Sequence, residues 1–214
     1  MSKKIVIFDL DGTLVDSSDN ISSAINFVRA DSGLPPLHKD FITSNINKDD
    51  INPAEVFYGT NVFTARQKEL FETFYLDICT NSLMAYDGVV GALERFKKGG
   101  FYLSVATNGA SMFAVKMLAS LKIDSFFDHL VGADLVESPK PNPDMLNLIL
   151  DRYAYGSGDF VPFMVGDSIK DIKSAARAGV KSAFASWGFG EDVDGADIRL
   201  DNASEIELLF EYFS

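Results

Sequence analysis

Hydrophobic positions along the chain follow two periods, and the way they alternate predicts an architecture. Short apolar, β-rich runs recur at residues 5–8, 101–106, 129–132, 161–165 and 182–185. These runs are continuous rather than alternating, as expected of parallel strands covered by helices on both faces. Between them, residues 112–121, 144–152 and 169–178 carry helical periodicity, the last stopping at Gly179 as a helix C-terminus should. Residues 202–213 close the chain as a terminal helix. The expected fold class is α/β, a doubly wound, Rossmann-like parallel sheet.

One connection breaks this rhythm. Between Thr13 and the next strand lie about 85 residues, where an ordinary βα loop takes roughly two to six. Inside it, Ile21, Ala24, Ile25 and Val28 stand at helical spacing over residues 17–30, and Leu70, Phe71, Phe74, Tyr75 and Ile78 do so over 64–83. Between those helices Gly33, Pro35, Pro36 and the polar stretch 45–52 read as loop or broken helix, and Asp87-Gly88 turns the chain back. The pattern predicts a core of residues 1–15 and 87–214 with a small helical cap inserted at 16–86, hinged near Asp16 and Tyr86. No internal repeat, low-complexity tract or heptad run is present.

Composition narrows the classes of function. The 214 residues are 47% hydrophobic and 12% aromatic, enough for a sizeable core. Lys and Arg total 19 against 31 Asp and Glu, a formal net charge of −12, which argues against nucleic acid and anionic membrane as partners. An anionic substrate would therefore need local positive charge within an acidic protein. Cys79 is the sole cysteine, set among Phe74, Tyr75, Leu76 and Ile78, so no intrachain disulfide can form and a reduced, cytoplasmic setting is expected. Only four apolar residues separate the basic start Met1-Ser2-Lys3-Lys4 from Asp9, too few for a secretory signal. No run approaches the roughly 18 apolar residues of a membrane span. A monomer or weak homodimer is the default expectation.

Candidate chemistry collects where predicted strands end. Asp9-Leu10-Asp11-Gly12-Thr13 follows the first strand, and in open α/β sheets ligands bind outside the carboxyl ends of strands. Gly12 permits a sharp turn and Thr13 adds a hydroxyl. Thr107-Asn108-Gly109 ends the second strand with a hydroxyl, an amide and a turn able to hold an anion. Lys140 sits between Pro139 and Pro141, which restrict its backbone. Gly166-Asp167-Ser168-Ile169-Lys170-Asp171 places two further acids at a strand end and the first turn of a helix. Singly, each is an ordinary turn or helix cap. Together, Asp9, Asp11, Asp167 and Asp171 would converge on one crevice, and close carboxylates stay ionised only around a cation, which favours a hard metal bound through oxygen, Mg²⁺ by preference.

In this order and spacing the four segments resemble the motifs of the haloacid dehalogenase superfamily, especially its phosphoglycolate-phosphatase-like branch with a helical cap after the first motif. The resemblance implies a Mg²⁺-dependent phosphatase acting on a small phosphorylated metabolite. It implies Asp9 as the nucleophile that forms an aspartyl-phosphate and Asp11 as general acid and base. Asp9, the backbone carbonyl of Asp11, and Asp167 would hold the metal. Thr107 and the Asn108 amide would bind phosphoryl oxygens, Lys140 would supply positive charge, and Asp171 would orient the metal's water or Lys140, with Gly12 and Thr13 in support.

Within the superfamily, dehalogenases lack an acid matching Asp11, since halide needs no proton. Relatives resembling β-phosphoglucomutase carry a histidine about 12 residues past the nucleophile, where this chain has Ile21, so hydrolysis is favoured over mutase chemistry. Phosphonatase relatives use a cap lysine, a role open to Lys39 or Lys48. Pyrophosphate, sugar phosphates and nucleotides remain alternative substrates, and a phospho-receiver or non-catalytic binding module is the rival from another class; the long insertion after the first strand and the intact motifs weigh against both. His38 and His129 lack a second ligand at metal spacing. Gly188, Gly190 and Gly195 form no dinucleotide fingerprint, because Val193 stands where the last glycine belongs. Ser186-Trp187-Gly188-Phe189-Gly190 resembles a family loop after the last main strand and reads as a structural cover beside the site rather than a base-stacking surface.

Overall fold

The computed structural model describes residues 3–153 and 160–213. β1 (Lys3–Phe8) leads through a tight turn to a two-residue strand, β2 (Val15–Asp16). Four helices follow: α1 (Ser18–Asp31), α2 (Lys39–Ile46), α3 (Pro53–Tyr58) and α4 (Ala65–Ile78). β3 (Met84–Ala85) pairs antiparallel with β2 and closes the insertion. The chain continues through α5 (Val89–Lys98), β4 (Tyr102–Thr107), α6 (Ser111–Ser120), β5 (His129–Gly132) and α7 (Asp144–Arg152). It ends with β6 (Phe160–Gly166), α8 (Ile169–Ala178), β7 (Lys181–Ala185), β8 (Ile198–Leu200), 3₁₀ turns over Ala203–Leu208 and a short α9 (Leu209–Tyr212).

The six longer strands form one parallel sheet in the order β5-β4-β1-β6-β7-β8. The order reverses at β1, so the carboxyl ends of β1, β4 and β6 border the crevice where such sheets bind ligands. β1 shows why its strand reads as an unbroken apolar run. Val6 and Phe8 enter one core layer with Phe96 and Phe163, whereas Ile5 and Ile7 enter the opposite layer with Leu146, Ile149 and Met164. Successive side chains point to opposite faces and both faces are covered, so every position is apolar. Burying each such side chain contributes about 1.5–3 kcal/mol.

The insertion is held by α1 against α4, with Phe27 stacked on Phe74 at a centroid distance of 4.1 Å. Buried Arg29 clamps the intervening chain, its guanidinium donating to the carbonyls of Pro35 and Phe57. Here the structure departs from the sequence pattern. Gly33, Pro35, Pro36 and residues 47–52 are loop, but two short helices that the pattern did not single out, α2 and α3, flank residues 47–52. α2 buries only Ile42, too thin an apolar face to register as periodicity. Its start is capped by His38, and α3 is capped by Asn52 with Pro53 in its first turn and Gly59 in the left-handed region at its end. α5, which the pattern did not single out, buries Val89, Ala92, Leu93 and Phe96 behind a strongly basic end. β8 is a three-residue edge strand, and most of the expected terminal helix is 3₁₀. Among the described residues no helix is long and apolar enough to cross a membrane.

Candidate active site

β1 delivers Asp9 to the sheet's carboxyl edge, where its backbone N–H still donates to Val165 of β6 at 2.9 Å. Beyond the end of β6 lies Asp167, and one turn into α8 lies Asp171. Single carboxylate oxygens of Asp9, Asp167 and Asp171 fall within 4.8 Å of one another, and all three residues are buried. Lys140 reaches them from the loop before α7. Its ammonium donates to Asp9 Oδ1 at 2.6 Å, Asp171 Oδ1 at 2.6 Å and the Ala106 carbonyl at 2.7 Å, using all of its donors on protein. Asp171 is fixed further, because its Oδ2 accepts from the Ser168 hydroxyl at 2.6 Å and the Ser168 N–H at 3.1 Å. Asp9 Oδ2 has only a long contact with the Thr13 hydroxyl, at 3.5 Å.

Electrostatics separate these groups. Burial pushes the Asp9 carboxyl up to about 7 despite the pull of Lys140. Burial, then the neighbouring Asp9 and Asp171 charges, raises Asp167 well above the carboxylate range, against the Phe189 N–H. Burial disfavours the Lys140 ammonium, but Asp171 and Asp9 outweigh it and hold its pKa above the ordinary lysine value. Among the described residues, Asp167 Oδ1 is buried and has no hydrogen-bond partner. An orphaned carboxylate oxygen among like charges costs several kcal/mol unless a cation or proton meets it. This donor set, all carboxylate oxygen, fits a hard divalent ion such as Mg²⁺.

Asp11 lies outside the cluster and faces the cavity. Its Oδ1 accepts from the Ser17 hydroxyl at 2.5 Å, and burial raises its pKa while the Ser17 and Thr107 hydroxyls oppose the rise. Thr107 is buried at the end of β4, its hydroxyl accepting from the Gly109 N–H at 3.0 Å. The Asn108 amide donates to the Lys140 carbonyl at 2.8 Å and so ties the lysine loop to β4. Gly12 adopts φ +87, and a Cβ there would stand 2.2 Å from Asp167 Oδ2. Only glycine permits that turn this close to the acid.

Several groups around the site were not legible from the sequence. Asn47, just past α2, donates its side-chain amide to Asp167 Oδ2 at 3.1 Å, and the Phe189 N–H donates to the same oxygen at 2.7 Å. Gly188 lies over Asp167, where a Cβ would meet the Asp167 Cβ at 2.3 Å. Trp187 donates from Nε1 to the Thr13 carbonyl at 3.1 Å, so the expected cover segment does pack on the first motif. Ser17 and Asn47 carried no sequence signal, since both stand in polar stretches of unremarkable composition.

Above the acids opens a cavity of about 520 Å³ lined by Asp9, Asp11, Thr107, Asn108 and Lys170 from the core and by side chains of α1, α2 and α4. Lys170 spans the two parts, donating to the Ile46 carbonyl at 3.0 Å. Lys39 pairs with Asp19 and Lys48 with Glu191, and neither lines this cavity. His38 is exposed beside Asp40, and His129 packs edge-on against Tyr153.

Residues 6–185 match the model of a family described as haloacid dehalogenase-like hydrolase. The chain belongs to that family. A phosphoglycolate phosphatase of Aquifex aeolicus is 31% identical over 186 residues, covering 87% of this chain and 86% of that protein. A protein named probable phosphatase IndB, from Dickeya dadantii, is 32% identical over 195 residues, covering 87% of this chain and 82% of its own. The crystal structure of a predicted phosphoglycolate phosphatase from Haemophilus somnus superposes with a TM-score of 0.84 over 98% of this chain and 99% of that one, at 24% identity, which shows the shared fold. Within the haloacid dehalogenase-like hydrolases, this chain is a phosphatase, a phosphoric monoester hydrolase.

Proposed function

We propose that the chain hydrolyses a small phosphomonoester in two displacements at Asp9, with Mg²⁺ as its cofactor. Lys140 occupies Asp9 Oδ1, so Oδ2, held only by the long Thr13 contact, is the oxygen available to attack phosphorus. Its attack forms an aspartyl-phosphate and breaks the bond to the leaving oxygen, splitting one hard substitution into two. Asp11 gives that oxygen its proton and then takes one from the water that hydrolyses the intermediate, a role typically worth roughly 10²- to 10⁴-fold. Burial raises its pKa above the ordinary aspartate value, which favours the protonated form that gives up the proton. Asp9, Asp167 and the Asp11 carbonyl are the groups that would hold Mg²⁺, which when bound offsets repulsion between the carboxylate and the phosphate dianion. Lys140 favours the ionised form of Asp9 against its burial and aims it, and Thr107 with the backbone N–H of Asn108 receives phosphoryl oxygens.

The observation that carries this reading is the buried triad of Asp9, Lys140 and Asp171 beside an Asp167 oxygen unpartnered among the described residues, with Asp9 lining a cavity. In the same reading, residues 16–86 form the cap, closing over 1–15 and 87–214 about the β2–β3 ribbon, in a reduced cytoplasm. Relatives named phosphoglycolate phosphatase make phosphoglycolate the first substrate to assay. The test is a panel of phosphorylated metabolites with Mg²⁺, with EDTA, and with Asp9→Asn. Turnover is expected with Mg²⁺ alone, and Asp9→Asn should be folded but inactive. Wild-type rates in both EDTA and Asp9→Asn would overturn the mechanism.

A further inference from the structure

Resting on the phosphatase reading above, we propose that the preferred substrate is the phosphate ester of an uncharged, largely apolar alcohol, aromatic or branched, rather than of a hydroxy acid. The first ground is size. A cavity of about 520 Å³ falls in the roughly 300–1,000 Å³ range that encloses ligands of drug size. A phosphoryl group carrying a two-carbon acid would leave much of it unfilled.

The second ground is the wall. Opposite the acids the cavity is faced by Ile21, Ile46, Phe71, Tyr75 and Phe113, a surface drawn from α1, α2, α4 and α6. Tyr75 and Phe113 meet edge to face at 5.0 Å; the Tyr75 hydroxyl lies on Met117 Sδ at 3.9 Å and against the Ser17 hydroxyl beside Asp11, so protein takes up its polar end and the ring offers the cavity its apolar body. A second cavity of about 240 Å³ inside the helical insertion shares Ile46, Phe71 and Glu72 with the first and adds Ile25, Phe57 and Phe63. An apolar group that enters past Phe71 therefore finds further apolar surface behind it.

The third ground is charge. A carboxylate on the leaving group needs a cation or a cluster of N–H donors to replace its water. Among the described residues Lys170 is the one cation lining the cavity, and one of its three donors is taken by the Ile46 carbonyl. The remaining charged groups on the walls, Glu72 and Asp134, are carboxylates that repel another. Asp134 is fixed in that form by the Ser111 N–H and hydroxyl, at 2.7 and 2.5 Å. The wall thus rejects an acid as much as it attracts a hydrocarbon.

The experiment separates this inference from the mechanism beneath it. Phenylethyl phosphate and phosphoglycolate have leaving oxygens of similar type, so kcat/KM with Mg²⁺ compares their binding in the transition state rather than their intrinsic reactivity. We expect phenylethyl phosphate to be favoured by more than tenfold. Phe71→Ala should cut kcat/KM for it at least fivefold while leaving acetyl phosphate within twofold, and Glu72→Lys should narrow the gap by raising phosphoglycolate turnover. In calorimetry of the Mg²⁺-loaded protein, phenylpropylphosphonate should bind more tightly than phosphonopropionate, a readout that needs no turnover. Equal or better use of phosphoglycolate, or of phosphonopropionate, overturns the inference even if the enzyme is a phosphatase. Loss of acetyl phosphate hydrolysis with the phosphonate preference intact would instead overturn the mechanism alone.

Discussion

The carboxyl edge of the sheet and the helical insertion above it face the same cavity but are built on different physics. Along the sheet edge, buried Asp9, Lys140, Ser168 and Asp171 are joined by short, charge-assisted contacts, and beside them one oxygen of buried Asp167 has no partner among the described residues. In the insertion the corresponding surface is mostly hydrocarbon, from Ile21, Ile46, Phe71 and Tyr75, with one amide, Asn47, reaching across to Asp167. Buried charges tolerate few arrangements, because each loss leaves an uncompensated partner. An apolar wall tolerates many, because dispersion and desolvation ask only for volume and shape. One region can therefore keep a single reaction while the other changes what is admitted to it.

The sharpest way to break this contrast is Lys140→Met. If the sheet edge is a coupled charge network, removing its cation leaves Asp9 and Asp171 facing each other in the interior, and should cost about 3–5 kcal/mol of stability as well as activity. Urea unfolding of the metal-free protein measures it, and a loss under about 1 kcal/mol would show that the acids are better solvated than their burial indicates.

Next in size, Asp11→Asn should lower kcat by roughly 10²- to 10⁴-fold with little change in thermal stability, because the amide can still accept from Ser17. Steady-state kinetics on an alkyl phosphate, whose leaving oxygen needs a proton, gives the contrast with acetyl phosphate, which should lose less.

Asn47→Ala tests the polar arm that the insertion extends to Asp167. Its amide orients Asp167 Oδ2, and loss of such an outer contact should weaken Mg²⁺ binding by about 10- to 100-fold without a large stability change. Calorimetric Mg²⁺ titration reads this directly, and an unchanged affinity would leave orientation of Asp167 to the Phe189 N–H. The smallest effect belongs to the rim. Lys173 pairs with Asp49 at 2.6 Å across the same junction, and Lys173→Met should cost only about 0.2–1 kcal/mol, fading with salt.

How much could be read in advance differs between the same two regions. β1, β5, α7 and α8 lie close to where the apolar pattern put them, because strands covered on both faces and helices packed on them must be apolar to be buried. α2 and α3 left almost no trace, since each is short and depends on caps and on tertiary packing around Arg29 rather than on an apolar stripe of its own. The acids stood out because charged residues immediately after a buried strand are costly without a purpose. Asn47 and Gly188 did not, because an amide in a polar loop and a glycine in a turn look alike whether or not an aspartate lies against them.

By itself, the order of residues determined a parallel α/β core, helices in the long connection after its first strand, and candidate acids at the strand ends, since period, strand-end position and residue type are all local properties. Only the tertiary structure decided that Lys140 spends all its donors on Asp9, Asp171 and Ala106, that Asp167 keeps one oxygen without a partner, and that Asn47 and the Phe189 backbone hold the other. Two of those contacts, Lys140 with Asp9 and Asn47 with Asp167, join residues more than a hundred positions apart. Which donor meets which acceptor there depends on register, loop path and volume, and these exist only once the chain has closed on itself.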